Sequence, residues 1–332
     1  MKILVTGGLG FLGKRLCNAI LKGESMIDSY GNPRTVSEIV LFDVASNSSI
    51  SDDRVTYISG DISDPKQVDN LITDDIDSIF HLAAIVSADA EENFDLGMKI
   101  NLDGTRNVLE AARRLSHLPK VIFTSSIATY GGDLPKTVID ATKQSPQTSY
   151  GVAKVAGELL VHDYSRKGFI DGRSLRLPTI SVRTGLPNKA ASTWASSIIR
   201  EPLSGKDVVC PVTKESYMAC MSPKKIVEAF IHAHNLSADK FADGRSLLLT
   251  GISVSAGEMA EAVERHRGNR AIGKIKWEHN PDIQKIVNGW PKATFSERAE
   301  KLGFSKDDSI DDIVRAFIED DLDTQIALYG SD

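Results

Sequence analysis

Three cysteines in 332 residues, at 17, 210 and 220, form no metal-ligand spacing and no even disulfide set. Reduced thiols in a cytoplasmic protein are the reading that follows. No His or Asn pattern marks any of them as a nucleophile. Long hydrophobic runs are also missing: no apolar stretch approaches the ~20 residues that span a bilayer, and membrane partners are not expected. The chain shows no charged-then-apolar leader and enters a strand at once. A basic excess is missing too. With 39 Lys and Arg against 45 Asp and Glu, the net charge is -6, which argues against a nucleic-acid partner. Internal repeats and low-complexity tracts are absent. His232 and His234 stand two apart and do not share a helix face, which argues against a metal pair. The hydrophobic fraction, 41%, suffices for one large core or two smaller ones.

Alternation is what the sequence does have. "KILVT", "EIVLFDV", "VTYISGDI", "SIFHLAA" and "KVIFTSS" read as buried strands. Helical stretches at 11–21, 65–73, 95–116 and 150–167 lie between and after them. The pattern predicts an α/β fold, a Rossmann-type doubly wound parallel sheet with helices on both faces. "RSLRLPTISVR" reads as a sixth strand. Residues 1–183 are expected to form the nucleotide-binding domain. Residues 184–332 are expected to form a smaller substrate-binding region, partly interleaved with the sheet. Within it, helices are predicted at 222–235 and 255–267, and a last one begins behind Ser309 as N-cap.

Gly7, Gly10 and Gly13 fall three apart between the first strand and the helix opening at Phe11 and Leu12. A helix N-terminus exposes unpaired N–H groups, and glycine lets a pyrophosphate approach the backbone. A tight turn without ligand would also use glycine; the strand-to-helix context favours the phosphate. The second strand ends in Asp43. A carboxylate there accepts hydrogen bonds from ribose hydroxyls and repels a 2′-phosphate, so NAD is favoured over NADP. Its separation from the glycines exceeds the usual ~20 residues, and the polar insertion "ESMIDSYGNPRT" accounts for the excess. A strand-end turn residue is the plainer reading of Asp43 taken alone. Asp61 and Ile62 follow the third strand and suit the adenine edge. Leu82, Ala83 and Ala84 follow the fourth and let a cofactor pass. His81 reads as a packed strand residue.

Tyr150 and Lys154 stand four apart at the start of a helix, on one face. A phenol titrates near ~10, and a neighbouring ammonium lowers that value. A tyrosine so placed is able to take a hydroxyl proton while a hydride leaves the same carbon; a solvent-facing tyrosine and lysine that merely share a helix are the plainer reading of the spacing taken alone. Ser125 and Ser126 close the fifth strand, where parallel sheets bind ligands.

Together "TGGLGFLG", Asp43, "GDISD", "HLAA", "NLDGT", "TSSIATYG" and "SYGVAK" resemble the extended short-chain dehydrogenase/reductases over essentially the whole chain. The resemblance implies Tyr150 as acid/base, Lys154 as its activator and ribose ligand, Ser126 as the catalytic serine and Asn101 as support of a proton relay. It implies Ser125 on the cofactor side and a homodimer built on the helices near 95–116 and 150–167. The apolar positions 152, 155, 156, 159 and 160 fit core, interface or both. Stretches from 149 to 205, "GLPNKAASTWASSIIREPLSG" included, are similar to the branch that oxidises four-carbon sugar acids at C2. Thr184 departs from that branch, where proline is expected after Arg183. Ser87, Thr179, Arg183 and Arg200 are then candidates for the substrate carboxylate. A salt bridge reads either arginine equally well. Trp194 and Trp290 fit pocket walls or core, and Pro178 is expected against the nicotinamide. Nucleotide-sugar epimerases or dehydratases and threonine dehydrogenases remain the alternatives.

Overall fold

The predicted alternation becomes a seven-stranded sheet in the computed structural model, which describes residues 1–23, 25–46, 50–186, 191–242 and 244–330. Its strands are β1 (Lys2–Thr6), β2 (Glu38–Asp43), β3 (Val55–Ser59), β4 (Ser78–His81), β5 (Lys120–Ser126), β6 (Asp171–Leu177) and β7 (Ser246–Leu248). They lie in the order β7-β6-β5-β4-β1-β2-β3. The pairs β1–β2, β2–β3, β1–β4 and β4–β5 are all parallel. The chain reverses its direction of sheet building between β1 and β4. Such a switch point leaves a crevice at the carboxyl ends of the strands, where ligands bind.

The helices are α1 (Phe11–Lys22), α2 (Pro65–Leu71), α3 (Ser87–Glu92), α4 (Phe94–Met98), α5 (Gly104–Ala112), α6 (Ser149–Arg166), α7 (Trp194–Leu203) and α8 (Pro223–Asn235). Alternate strand residues point to opposite faces. On one face Leu4, Val40, Phe42, Ile79, Val121 and Phe123 pack with Val68 of α2, Leu109 of α5 and Val161 of α6. On the other, Phe80 stacks on His234 of α8 with centroids 5.4 Å apart. Each such buried side chain contributes about 1.5–3 kcal/mol relative to exposure.

Four local expectations change. β3 is not a buried strand: it forms the sheet edge, and Thr56, Tyr57 and Ile58 are exposed. The helix read at 95–116 is α4 and α5 joined by a π-helical turn at Lys99–Asp103, since one extra residue per turn rotates the chain's inward face. The sixth strand stops before Pro178, and Thr179–Ile180 pairs instead with Tyr217–Met221 in a separate sheet. The second half also contains α7, hidden in the sequence by its serines and Pro202. Helices at Pro223–Asn235 and Ala256–His266 stand where the pattern placed them, and a capping box between Ser309 and Asp312 opens the helix Ile310–Asp320.

The chain forms two compact units. One comprises 1–129, 146–176 and 227–247, and the other 130–145, 177–226 and 248–332. Residues 130–145 and 177–183 of the expected first domain thus belong to the second unit, and 227–247 return to the first. The second unit has its own core, in which Ile198 and Ile199 of α7 join Met218, Met259 and Phe317. No helix among the described residues is long and apolar enough to cross a membrane.

Candidate active site

The first unit carries the glycine loop. Gly7 has φ +66°, and a Cβ there would sit 2.8 Å from the amide nitrogen of Ala83. The loop after β4 presses directly on it, so glycine is required by the protein itself. Gly10 differs: a Cβ there would come no nearer than 3.2 Å to any atom, the Gly7 carbonyl oxygen. Gly10 is exposed and forms the N-cap of α1, and no side chain caps that helix. The N–H groups at Phe11 and Leu12 therefore have no partner within the helix. An uncapped helix N-terminus at an exposed glycine has the chemistry to seat an anion.

Asp43 ends β2 beside that seat. Its Oδ2 accepts the Leu9 N–H at 3.0 Å, and Oδ1 accepts that of Ala45 at 3.2 Å. Asp61 accepts both the N–H and the hydroxyl of Ser63, and the hydroxyl bond holds its carboxyl below the usual range. Ile62 is buried, and its carbonyl accepts from Asn107. Leu82, Ala83 and Ala84 are half-buried along the next loop. Asn101 sits in the π turn, 1% exposed. Its amide exchanges two hydrogen bonds with the backbone of Ile85, at 2.8 and 3.0 Å. It clamps the loop that bears Leu82–Ala84. His81 is a packed strand residue, bracketed by Thr6 and Thr105 hydroxyls at 2.7 and 3.0 Å. Burial pushes its pKa down to about 3, so it is a neutral member of the site.

Ser126 ends β5, half-buried, and its Oγ accepts the N–H of Ala128. The turn at 127–129 then meets α6. A Cβ on Gly151 would lie 2.2 Å from the Ala128 carbonyl oxygen, so only glycine lets α6 start this close to the end of β5. Thr148 caps α6, and Tyr150 and Lys154 occupy its first turns. Lys154 is 2% exposed. Its Nζ lies 4.8 Å from the Phe123 ring centre and 5.4 Å from that of Tyr150. Among the described residues it makes no hydrogen bond. Burial lowers its pKa to about 8, with the Glu158 charge opposing that fall.

Behind this lysine lies a feature the sequence reading passed over. Ser125, expected on the cofactor side, donates its hydroxyl to Glu158 of α6. Glu158 is 2% exposed and pairs bidentately with Arg176 of β6 at 2.7–3.0 Å. The i, i+4 spacing of Lys154 and Glu158 was its available signal.

In the second unit, Pro178 is buried and Thr179 half-buried on its short strand. The Arg183 guanidinium donates to Ser192, and its N–H to Ser196. Arg200 cannot serve a ligand as expected. It is 3% exposed, paired with Glu201 at 2.7 Å, and donates to the Arg183 carbonyl at 2.6 Å. Trp194 and Trp290 belong to, or pack against, this unit's core. The stretch 187–190, within the sugar-acid-like segment, lies outside the described residues.

The motifs and their geometry meet known proteins at residues 3–241, which match the NAD dependent epimerase/dehydratase family. The chain belongs to this family. It is 47% identical over 321 residues to the D-erythronate dehydrogenase of Cupriavidus necator, covering 96% of this chain and 98% of that protein. The D-erythronate dehydrogenase of Haemophilus influenzae is 41% identical over 323 residues, 97% of this chain and 100% of the relative. Among solved structures, a nucleoside-diphosphate-sugar epimerase from Agrobacterium tumefaciens superposes with a TM-score of 0.91. It is 38% identical and covers 98% of this chain and 96% of its own. As a member, the chain is an NAD-dependent oxidoreductase. Its residues suit NAD on physical grounds: an uncapped α1 at an exposed glycine, and a buried ammonium with no hydrogen-bond partner among the described residues. The first seats phosphates, and the second suits ribose hydroxyls.

Proposed function

We propose that this chain oxidises D-erythronate at C2 to 2-oxo-tetronate, with Tyr150 as the base. Likeness to two D-erythronate dehydrogenases across both units, not the nucleotide half alone, carries the substrate reading. Bound NAD supplies the hydride acceptor. The Lys154 ammonium, 5.4 Å from the Tyr150 ring, favours the phenolate. Ser126 holds the C2 hydroxyl, and Tyr150 takes its proton as the carbon-bound hydrogen departs with its electron pair. Atoms and charge balance: one alcohol gives one carbonyl, one proton and one hydride. Asn101 keeps the loop over the site in place. Ser87, Thr179 and Arg183 are assigned to the substrate and Pro178 to the nicotinamide on family resemblance.

Two further assignments accompany this reading. On α4 and α6, Phe94, Leu96, Val152 and Leu159 are exposed apolar residues, with Leu159 64% exposed. The stripe on α6 is divided: Leu160 packs against the core, while Val152 and Leu159 are exposed, and a homodimer would cover these two. A cytoplasmic enzyme fits three buried free thiols.

The likeness to a nucleoside-diphosphate-sugar epimerase supports one competing reading, since the same tyrosine and lysine serve both chemistries. The test offers D-erythronate, L-threonate, L-threonine and UDP-glucose separately to purified protein with NAD. NADH formation with D-erythronate alone, abolished by Tyr150→Phe, is the expected result. Turnover of threonine alone moves the chain to amino-acid oxidation. Silence with all four overturns the proposal in favour of epimerisation, which leaves no net NADH.

A further inference from the structure

Lys154 is one of two lysines buried in the first unit among the described residues, and the two are treated differently. Lys120, also 2% exposed, donates to the carbonyls of Ile27 and His234 at 2.8 and 2.6 Å. Lys154 has no such acceptors. A desolvated ammonium without hydrogen bonds reverts readily to the neutral amine. What opposes that reversion must be a charge. His81 of β4 is neutral. Tyr150 shares the helix. Phe123 and Ser125 of β5 and Asn101 of the π turn carry no charge. Two carboxylates remain: Glu91 of α3, which accepts the Ser149 N–H at the start of α6, and Glu158, one turn beyond Lys154 along α6 and shared with Arg176 of β6. Carboxylate and guanidinium are 3% and 12% exposed at the side chain, so water screens the pair poorly.

We propose that Glu158 and Arg176 are positioning residues that set the electrostatic potential at Tyr150 and Lys154, and so the pH window of catalysis. The pair is neutral as a whole. Its carboxylate lies on the helix that bears Lys154, while its guanidinium comes from the neighbouring strand. Ser125, next to the proposed catalytic Ser126, donates to the same carboxylate and locks its orientation. Of the two carboxylates, it is the Glu158 charge that acts on the Lys154 ammonium and opposes its loss of a proton. A structural ion pair alone needs neither the adjacent serine nor the i, i+4 step from the lysine.

This inference rests on Tyr150 and Lys154 being the reacting pair, and the two ideas fail separately. The signs follow from charge. Glu158→Gln keeps the shape and leaves Arg176 uncompensated, so the site becomes more positive. Both limbs of the kcat/KM profile then move to lower pH, by about one unit. Arg176→Met makes the site more negative, and both limbs move up by a similar amount. The double variant returns them to the wild-type position. A pair that only holds the fold would shift neither limb, or would lower kcat alike in both variants.

The experiment records kcat/KM against pH with NAD and the substrate found active, for wild type, both single variants and the double. A second readout needs no cofactor: the ultraviolet absorbance of the Tyr150 phenolate against pH, with Tyr150→Phe as blank. Opposite shifts in the two single variants, restored in the double, are the expected result. Shifts of the same sign, or none, with Tyr150→Phe inactive, overturn the proposal alone. An active Tyr150→Phe overturns the underlying reading as well. Should Glu158→Gln not fold, the upward shift in Arg176→Met decides.

Discussion

Two buried cations, one in each unit, are handled in opposite ways. In the first, Lys154 is sealed from water and given no hydrogen-bond acceptor. In the second, Arg200 is equally sealed, but Glu201, Ser197 and the Arg183 carbonyl take up its donors. A closed inventory marks structure, and an open one marks a place for a ligand. Residue type does not separate them: in the sequence both are basic residues near a suspected site.

Substitutions can break this comparison, and the largest effect belongs to the reacting tyrosine. Tyr150→Phe removes the proton acceptor and lowers kcat by about 10²–10⁴, with NAD affinity retained in a fluorescence titration. Next come the two cations. Lys154→Met abolishes turnover while leaving the melting temperature unchanged or raised, because a costly buried charge disappears. Arg200→Met strands Glu201 and destabilises by about 3–5 kcal/mol in urea unfolding. If Lys154→Met unfolds the protein and Arg200→Met does not, the distinction is wrong.

Among the glycines, Gly7→Ala forces a Cβ against Ala83 in a left-handed conformation and costs about 1–3 kcal/mol of stability. Gly10→Ala keeps the fold and weakens NAD binding, measured by calorimetry. The smallest effect sharpens the first unit's side. Burial drives His81 and His234 down to about 3, from ordinary values of 6.5. The unfolded chain takes up those protons first, so the stability each residue gives is whole above pH 6.5. It is lost as pH falls toward 3, by up to about 1.4 kcal/mol per unit for each histidine. Urea midpoints at pH 7 and 5 test this, and His234→Gln flattens the slope.

Sequence legibility followed locality. Gly7, Gly10, Asp43, Tyr150 and Lys154 stand in short segments whose spacing carries its own physical meaning. The strands β1, β2, β4 and β5 announced themselves as continuous apolar runs. β3 carried a similar run yet lies at the edge, because position in the sheet depends on partners far along the chain. What Arg200 and Ser125 donate to was not legible for a related reason. Their partners, Glu201 and Glu158, decide what each donor does, and a pattern of residue types does not say where a carboxylate turns. That the second half interleaves with the sheet was expected, but which segment does so was hidden, because 227–247 looks like any other helix-and-strand segment.

That interleaving bears on how the protein is made. The nucleotide-binding unit is finished only by α8 and β7, through contacts such as Ser174 N–H to the Arg245 carbonyl at 2.7 Å and Arg173 to the Leu236 carbonyl. A ribosome must therefore deliver residues up to 247 of 332 before the first half closes. Until then the face of Phe80 that meets His234 is bare, and the nascent chain is a client for whatever shields apolar surface during synthesis. Gene fragments cut at the apparent boundary near 183 inherit that bare face permanently.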